Sequence, residues 1–481
     1  MALDLENGPY GGKVQSPAVA AKKYNHSSKL GRLDLTIDDP QSRPLGEKPI
    51  DCLDNNRLLP YYHRSSDSDL VESFTNPKKN KWRLLSTMLI SFGAGLHDSA
   101  TGVLIPYLEK EYDIGYAVVS LIFISNAIGF ILAAPFTHVL KARLGCARSH
   151  ILSLVLIAVA HLTIIFKPPF PVVVSTFCLI GFGLAVNVSL SNVFCANLLN
   201  NTAALGGLHG GYGIGGLIGP LAATGIASHT GHWSFYYIIT LAISLVNISF
   251  SWWAFTGYED EPVVQLISKR QHEELAKSGG AESGMTSILK QALSSWVTIL
   301  GAPFIFAYQG AEVSVSGWVV SFLINHRGAD IAKVGYVTSG FWGGITIGRF
   351  CLSPLAHKIG LKLSTVLLII GSGGFQLVLW FVPNIVGDAV ALAIIGVLLG
   401  PIYPVTYSMF TSLLPANRQL SSLGFISAMG SSGGAAAPFF TGLIAQRMGT
   451  VVLHPICLGL YGIMICLWMG LSRLQSNSSK R

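Results

Sequence analysis

From Trp82 onward the chain is a succession of apolar runs separated by short polar breaks. Each run reaches the roughly 20 residues that a helix needs to cross a bilayer. The runs fall at 84–107, 116–140, 149–167, 171–197, 205–228, 232–256, 293–324, 334–355, 363–383, 386–413, 420–445 and 451–472, so twelve transmembrane helices are expected. Pro106, Pro220, Pro303, Pro401, Pro404 and Pro438 lie inside runs and should kink them, which neighbouring helices tolerate in a membrane. Residues 1–80 are polar and lack a sustained apolar run, and read as a disordered tail. Residues 474–481 form a short polar tail at the other end.

The longest break, 258–292, is charged and divides the chain into a first six-helix half (81–257) and a second (293–473). A short amphipathic helix is expected within it, near Val263–Lys277. The halves echo each other. A shift of 215 residues carries Gly95, Ser99 and Gly102 onto Gly310, Ser314 and Gly317, and Gly145 and Gly181 onto Gly360 and Gly396. A shift of 218 carries Gly215, Gly216 and Pro220 onto Gly433, Gly434 and Pro438. The expected fold is therefore all-α and membrane-embedded, with two pseudo-symmetric halves.

Composition supports this and narrows the function. With 51% apolar and 12% charged residues the chain is far from a soluble globular composition. Its 52 glycines suit close-packed membrane helices. The net charge of +8 reports orientation rather than nucleic-acid binding, because 17 Lys and Arg of the breaks fall on one side and 5 on the other. That split puts both termini in the cytoplasm. The seven cysteines show no CxxC spacing and read as buried free thiols. No metal-ligand cluster or nucleophile triad spans the runs, so neither a metal site nor an enzyme is expected.

The chemistry is concentrated in a few polar side chains at membrane depth. Of the 24 acids only two are expected inside runs, Asp98 in the first and Glu312 in the seventh. An ionised carboxylate there costs about 2.5–3.5 kcal/mol and belongs on a bundle interior or a wet cavity. Tyr308, Gln309, Glu312 and Ser316 share one helical face. The 215-residue shift carries His97 onto Glu312, so both halves place ionisable groups at one depth. Two protonatable carboxyls in a low-dielectric cavity suit proton coupling, with His97 as a relay. The alternatives are a protonated Glu312 held by a hydroxyl and a His97–Asp98 pair that only fixes packing. Arg349, in the eighth run, is expected to snorkel toward the cytoplasmic boundary, with pairing to a carboxylate as the alternative, and to have a gating or structural part. Solute contacts are expected from Tyr308, Gln309, Asn187, Asn192, Trp318, Trp342, Tyr403 and Tyr407, with a gating or structural part for Gly145, Gly219, Pro220, Gly400 and Pro401.

The segments GLHDSATGVLIPYLEKEYDI (95–114), GLHGGYGIGGLIGP (207–220), YQGAEVSVSGWVVSFL (308–323), SGFWGGITIGR (339–349) and GPIYP (400–404) resemble the major facilitator superfamily. More narrowly they resemble its fucose–proton symporter-like branch, in particular fungal proteins of the bypass-of-stop-codon type. The resemblance implies the major facilitator fold, alternating access, and a membrane acid that takes up a proton during transport. It matches Asp98 to the family's first-span acid and Glu312 to the acid of its YxGxEV motif. Two positions depart from the pattern. The loop HVLKARLGCAR (138–148) keeps Gly145 but has His138 and Ala142 where GxxxDRxGRR has Gly and Asp. The fourth run offers Asn187 and Asn192 where family members often carry an acid.

The expected function is secondary active transport of a small organic solute, sugar-like or a secondary metabolite, coupled to protons. The alternative is a membrane solute sensor that keeps the fold without turnover. The proton gradient would be the energy source, with no cofactor. The expected partners are the solute, protons and lipid, around a monomer with no nucleic acid. The plasma membrane is the expected location, with a vacuolar or other internal membrane as the alternative.

Overall fold

The computed structural model describes residues 72–266, 269 and 293–478. Most of the expected N-terminal tail, most of the 258–292 break with its amphipathic helix beyond 266, and residues 479–481 lie outside the described residues. Residues 72–79 correct the expected tail boundary. The Leu199 N–H donates to the Glu72 carbonyl at 2.8 Å, and Asn80 Nδ2 donates to the Glu72 carboxylate at 3.1 Å. The last helix also continues to Ser478, past the expected end of the second half.

Among the described residues the chain makes twelve helical passes. The first half holds α1 (Asn80–Tyr112), α2 and α3 as two limbs of Leu121–Ile165, α4 (Phe170–Ala196), α5 (Asn201–Thr230) and α6 (Tyr236–Phe255). The second holds α7 (Trp296–Arg327), α8 (Tyr336–Ile359), α9 (Leu361–Phe381), α10 in two pieces (Ile385–Leu399 and Ile402–Leu413), α11 (Ala416–Met448) and α12 (Leu453–Ser478). Eight passes are long and apolar enough to cross a membrane by length and composition. The other four, α5, α7, α8 and α11, are rich in glycine and polar residues. Glycine is a poor helix former in water, but a backbone in hydrocarbon must satisfy its own hydrogen bonds, which favours the helix.

The repeat has a structural counterpart. Gly145 breaks α2 from α3 at φ 79°, and Gly360, its match at 215 residues, separates α8 from α9 at φ 105°. Both need the left-handed region that other residues avoid. A Cβ on Gly181 of α4 would lie 2.1 Å from the Asn126 carbonyl oxygen, and one on Gly396 of α10 would lie 2.1 Å from that of Phe341. Asn126 and Phe341 are themselves 215 residues apart. Each half thus packs its second helix on its fourth through the same bare backbone contact. Gly400 works likewise, with room for no Cβ against the Ile345 carbonyl, and Pro401 follows at the break in α10.

The thiols are not uniformly buried as expected. Cys146, Cys195 and Cys457 are buried, but Cys351 and Cys466 are exposed on helix faces. Asp388 is a further acid inside a pass, which corrects the expectation of only two. It is 1% exposed in the first turn of α10, paired with Arg327 at 3.0 Å. Arg327 also donates to the Leu379 and Trp380 carbonyls, while Asp388 Oδ1 has no hydrogen-bond partner.

Candidate substrate and proton site

The halves meet at the middle of α1, α5, α7 and α8, and the candidate site lies there. Close approach comes from glycine: a Cβ on Gly102 of α1 would sit 2.1 Å from the Ser316 carbonyl oxygen on α7. On α5, Gly219 packs against Ser99 and the Leu96 carbonyl of α1, next to the buried Pro220. This lets α5 carry Tyr212 alongside Asp98, where its hydroxyl donates to Asp98 Oδ2 at 3.0 Å. Asp98 is half-buried. Across the junction, the Trp342 ring of α8 stands edge-on to Tyr212 at 6.0 Å. Its indole N–H donates to Ser316 Oγ at 2.9 Å.

Glu312 is 7% exposed and its Oε1 lies 3.7 Å from a terminal guanidinium nitrogen of Arg349. Arg349 therefore turns inward to a carboxylate, the alternative to the expected snorkelling toward the boundary. The sequence hides this pair because its partners sit on different helices, 37 residues apart. The contact is loose: a well-formed charge-assisted hydrogen bond is about 2.7–2.9 Å. Glu312 Oε2 and Arg349 Nε are buried without a hydrogen-bond partner. The Tyr308 hydroxyl stands beside both groups without a well-formed bond to either. Tyr212 lies within reach of the charges of Asp98, Glu312 and Arg349 together, so one phenol connects the two acid sites.

The other expected site residues divide. Tyr403 and Tyr407 stack at 5.6 Å on the second piece of α10, and Tyr403 faces Tyr308 at 6.1 Å, forming one aromatic wall. Gln309 borders α11, where a Cβ on Gly430 would lie 2.8 Å from its Oε1. Trp318 leaves the site. It is fully buried, donates its N–H to the Pro438 carbonyl at 2.8 Å, and packs on Tyr116 and Phe123 between the halves. Asn187 also leaves the site: it is fully buried and bonds His150 Nδ1 at 2.8 Å within the first half. Asn192, near the end of α4, is half-buried. His97 turns away from Asp98 into the first half, with its ring 5.5 Å from His161 and 5.3 Å from Phe177. Neighbouring helical residues point about 100° apart, so adjacency in sequence did not bring His97 and Asp98 together. His209 of α5 lies within the electrostatic reach of Arg349.

The end of the bundle that holds the start of α1 also holds the Gly145 turn. There Glu259, just past α6, accepts the Cys146 N–H. An acid from the 258–292 break thus closes the turn whose own sequence lacks the usual Asp. At the opposite end the halves are joined. Asn325 Nδ2 donates to the Tyr116 hydroxyl at 2.9 Å, Ala117 N–H to Gln446 Oε1 at 3.2 Å, and the Tyr107 hydroxyl to the Ile331 carbonyl at 3.2 Å. Among the described residues, the hydrogen bonds and ring contacts between halves lie from the level of Asp98 to this end.

Known proteins are similar to this chain in sequence and in fold. The chain is 24% identical over 405 residues to Bypass of stop codon protein 6 of Saccharomyces cerevisiae, covering 78% of this chain and 80% of that protein. Its fold is similar to that of the nucleoside transporter NupG, with a TM-score of 0.63 at 13% identity, covering 81% of this chain and 99% of that one. It is also similar to a D-xylose-proton symporter, with a TM-score of 0.65 at 12% identity, covering 81% and 97%. The model of the Major Facilitator Superfamily matches residues 87–438. With two repeated six-helix halves meeting at polar residues, and a family match across most of both, the chain is a transporter-type membrane protein of the Major Facilitator Superfamily, not an enzyme.

Proposed function

We propose that this protein is a proton-coupled carrier that moves a small organic solute across the membrane by alternating access. In this reading all twelve passes cross the bilayer and both termini are cytoplasmic. The observation that carries it is the placement of Asp98 and Glu312. Each sits near the middle of the first helix of its half, at the junction of the halves, and each is held by a partner from its own half. Rocking the halves apart would leave both carboxyl groups with their partners while changing which side they face. In this reading the contacts at the far end hold the outer side shut, and the path from the site would lead toward the cytoplasm. Tyr308, Tyr403, Tyr407, Gln309 and Trp342 would contact the solute. The similarity to a sugar–proton symporter and a nucleoside transporter supports a small solute. The plasma membrane is the expected location, and the monomer the working unit.

Proteoliposome uptake with and without a pH gradient tests this. Accumulation should require the gradient, and Glu312→Gln should abolish it while exchange or binding survives. Undiminished gradient-driven accumulation in that variant removes Glu312 from the mechanism. Tight binding with no flux under any gradient would make the protein a sensor instead.

A further inference from the structure

The loose Glu312–Arg349 pair says more than that an acid is present. A guanidinium offers five donors in a plane and pairs best with a carboxylate in two parallel bonds. Here one terminal nitrogen approaches Glu312 at 3.7 Å, while Nε and the second carboxylate oxygen stay unpartnered. Leaving such atoms buried and unpaired is costly, and a ligand that partnered them would relieve that cost. The Arg349 side chain is 25% exposed, against 9% for Glu312, so the cation is the more accessible member. Beside it stand the open Tyr308 hydroxyl and the stacked rings of Tyr403 and Tyr407.

We infer that the solute is an aromatic monocarboxylate whose carboxylate displaces Glu312 from Arg349. The ligand's two oxygens take the guanidinium fork, the Tyr308 hydroxyl donates to one of them, and the ring lies against Tyr403. Glu312, deprived of its counter-ion, takes up one proton. One anion and one proton then travel together without net charge, and release on the other side lets Glu312 lose its proton and return to Arg349. A neutral solute of the same shape would leave Arg349 on Glu312 and carry no proton. This assignment rests on the carrier reading above. The titratable and charged groups around the pair are Tyr308 on α7, Asp98 on α1, His209 and Tyr212 on α5, Tyr403 on α10 and Tyr461 on α12.

Calorimetry on the purified full chain, with benzoate and its neutral isostere benzamide as probes, tests it between pH 5.5 and 8. Benzoate should bind at least tenfold more tightly than benzamide, with uptake of one proton read from the dependence on buffer ionisation heat. Its affinity should fall as pH rises. Glu312→Gln should bind benzoate as tightly as the wild type or more so, without proton uptake and with a flat pH profile. Arg349→Gln should lose at least tenfold. Equal binding of the two probes, or no benzoate binding, overturns the assignment, and this wild-type comparison stands even if a variant fails to fold. Benzoate binding unaffected in a folded Arg349→Gln also overturns it. None of these outcomes touches the gradient test above, which concerns coupling to whatever solute is carried.

Discussion

The two acid sites are matched in position and opposite in chemistry. Asp98 accepts one hydrogen bond from a neutral phenol, whereas Glu312 faces a cation. A carboxylate held by Tyr212 can gain a proton and lose only part of one interaction. A carboxylate paired with Arg349 cannot do so without stranding a buried charge, unless another anion takes its place. Duplication of a six-helix unit set both carboxyls at one depth. The difference in partner leaves one carboxyl with a neutral donor and ties the other to a counter-ion.

The sharpest way to break this comparison is to remove the cation. Arg349→Met should destabilise the detergent-solubilised protein by about 3 kcal/mol, because Glu312 is left unpaired. Adding Glu312→Gln should restore most of that in thermal unfolding. A double variant no more stable than the single one would mean the pair is not electrostatically linked. Next in size is the closure between halves. Gly102→Val should slow transport by about tenfold or more, since a side chain there meets the Ser316 carbonyl when the far end is shut. Unchanged turnover would mean that this contact is not part of the cycle.

A smaller effect is expected at the neutral partner. Tyr212→Phe removes the donor to Asp98, worth about 1.5–3 kcal/mol for a hydrogen bond to a charged group. It should shift the pH profile of transport and lower thermal stability by no more than that amount. An unaltered pH profile would take Asp98 out of proton handling.

The smallest effect lies outside the membrane. Burial raises the Glu72 carboxyl above its ordinary value of 4.5, against the hydrogen bonds from Tyr258 and Asn80. The folded chain holds that proton more tightly than the unfolded one. This contribution to stability is therefore full below 4.5 and is lost as pH rises through the folded value. Glu72→Gln should flatten that slope in thermal unfolding followed from pH 4 upward, and an unchanged slope would assign it to another group.

Much of the site was legible before any coordinates, for a definite reason. Charged groups are so rarely buried in hydrocarbon that Asp98 and Glu312 stand out by cost alone. The positions of Tyr403 and Tyr407, one turn apart, follow from helical periodicity. Direction around an axis is less secure when the neighbours are unknown. Trp318 and Asn187 lie on helices expected to present groups to a solute, yet each is spent on packing within the bundle. His97 shows the same limit, one residue from Asp98 and facing another set of helices. The role of Glu259 and the partner of Arg349 could not be read from the sequence, because their partners are far along the chain.

What the amino-acid order determined by itself is local: run length sets the helices, the spacing of glycines sets the duplicated halves, and solvation cost singles out the acids. Which groups are paired was decided only when the helices packed. Pairing depends on distances of a few ångströms between segments that share no local periodicity, and Coulomb and hydrogen-bond energies change steeply over that range. Tertiary packing thus turned an apparently lone Glu312 into half of a pair, and an apparently coupled His97 into a core histidine.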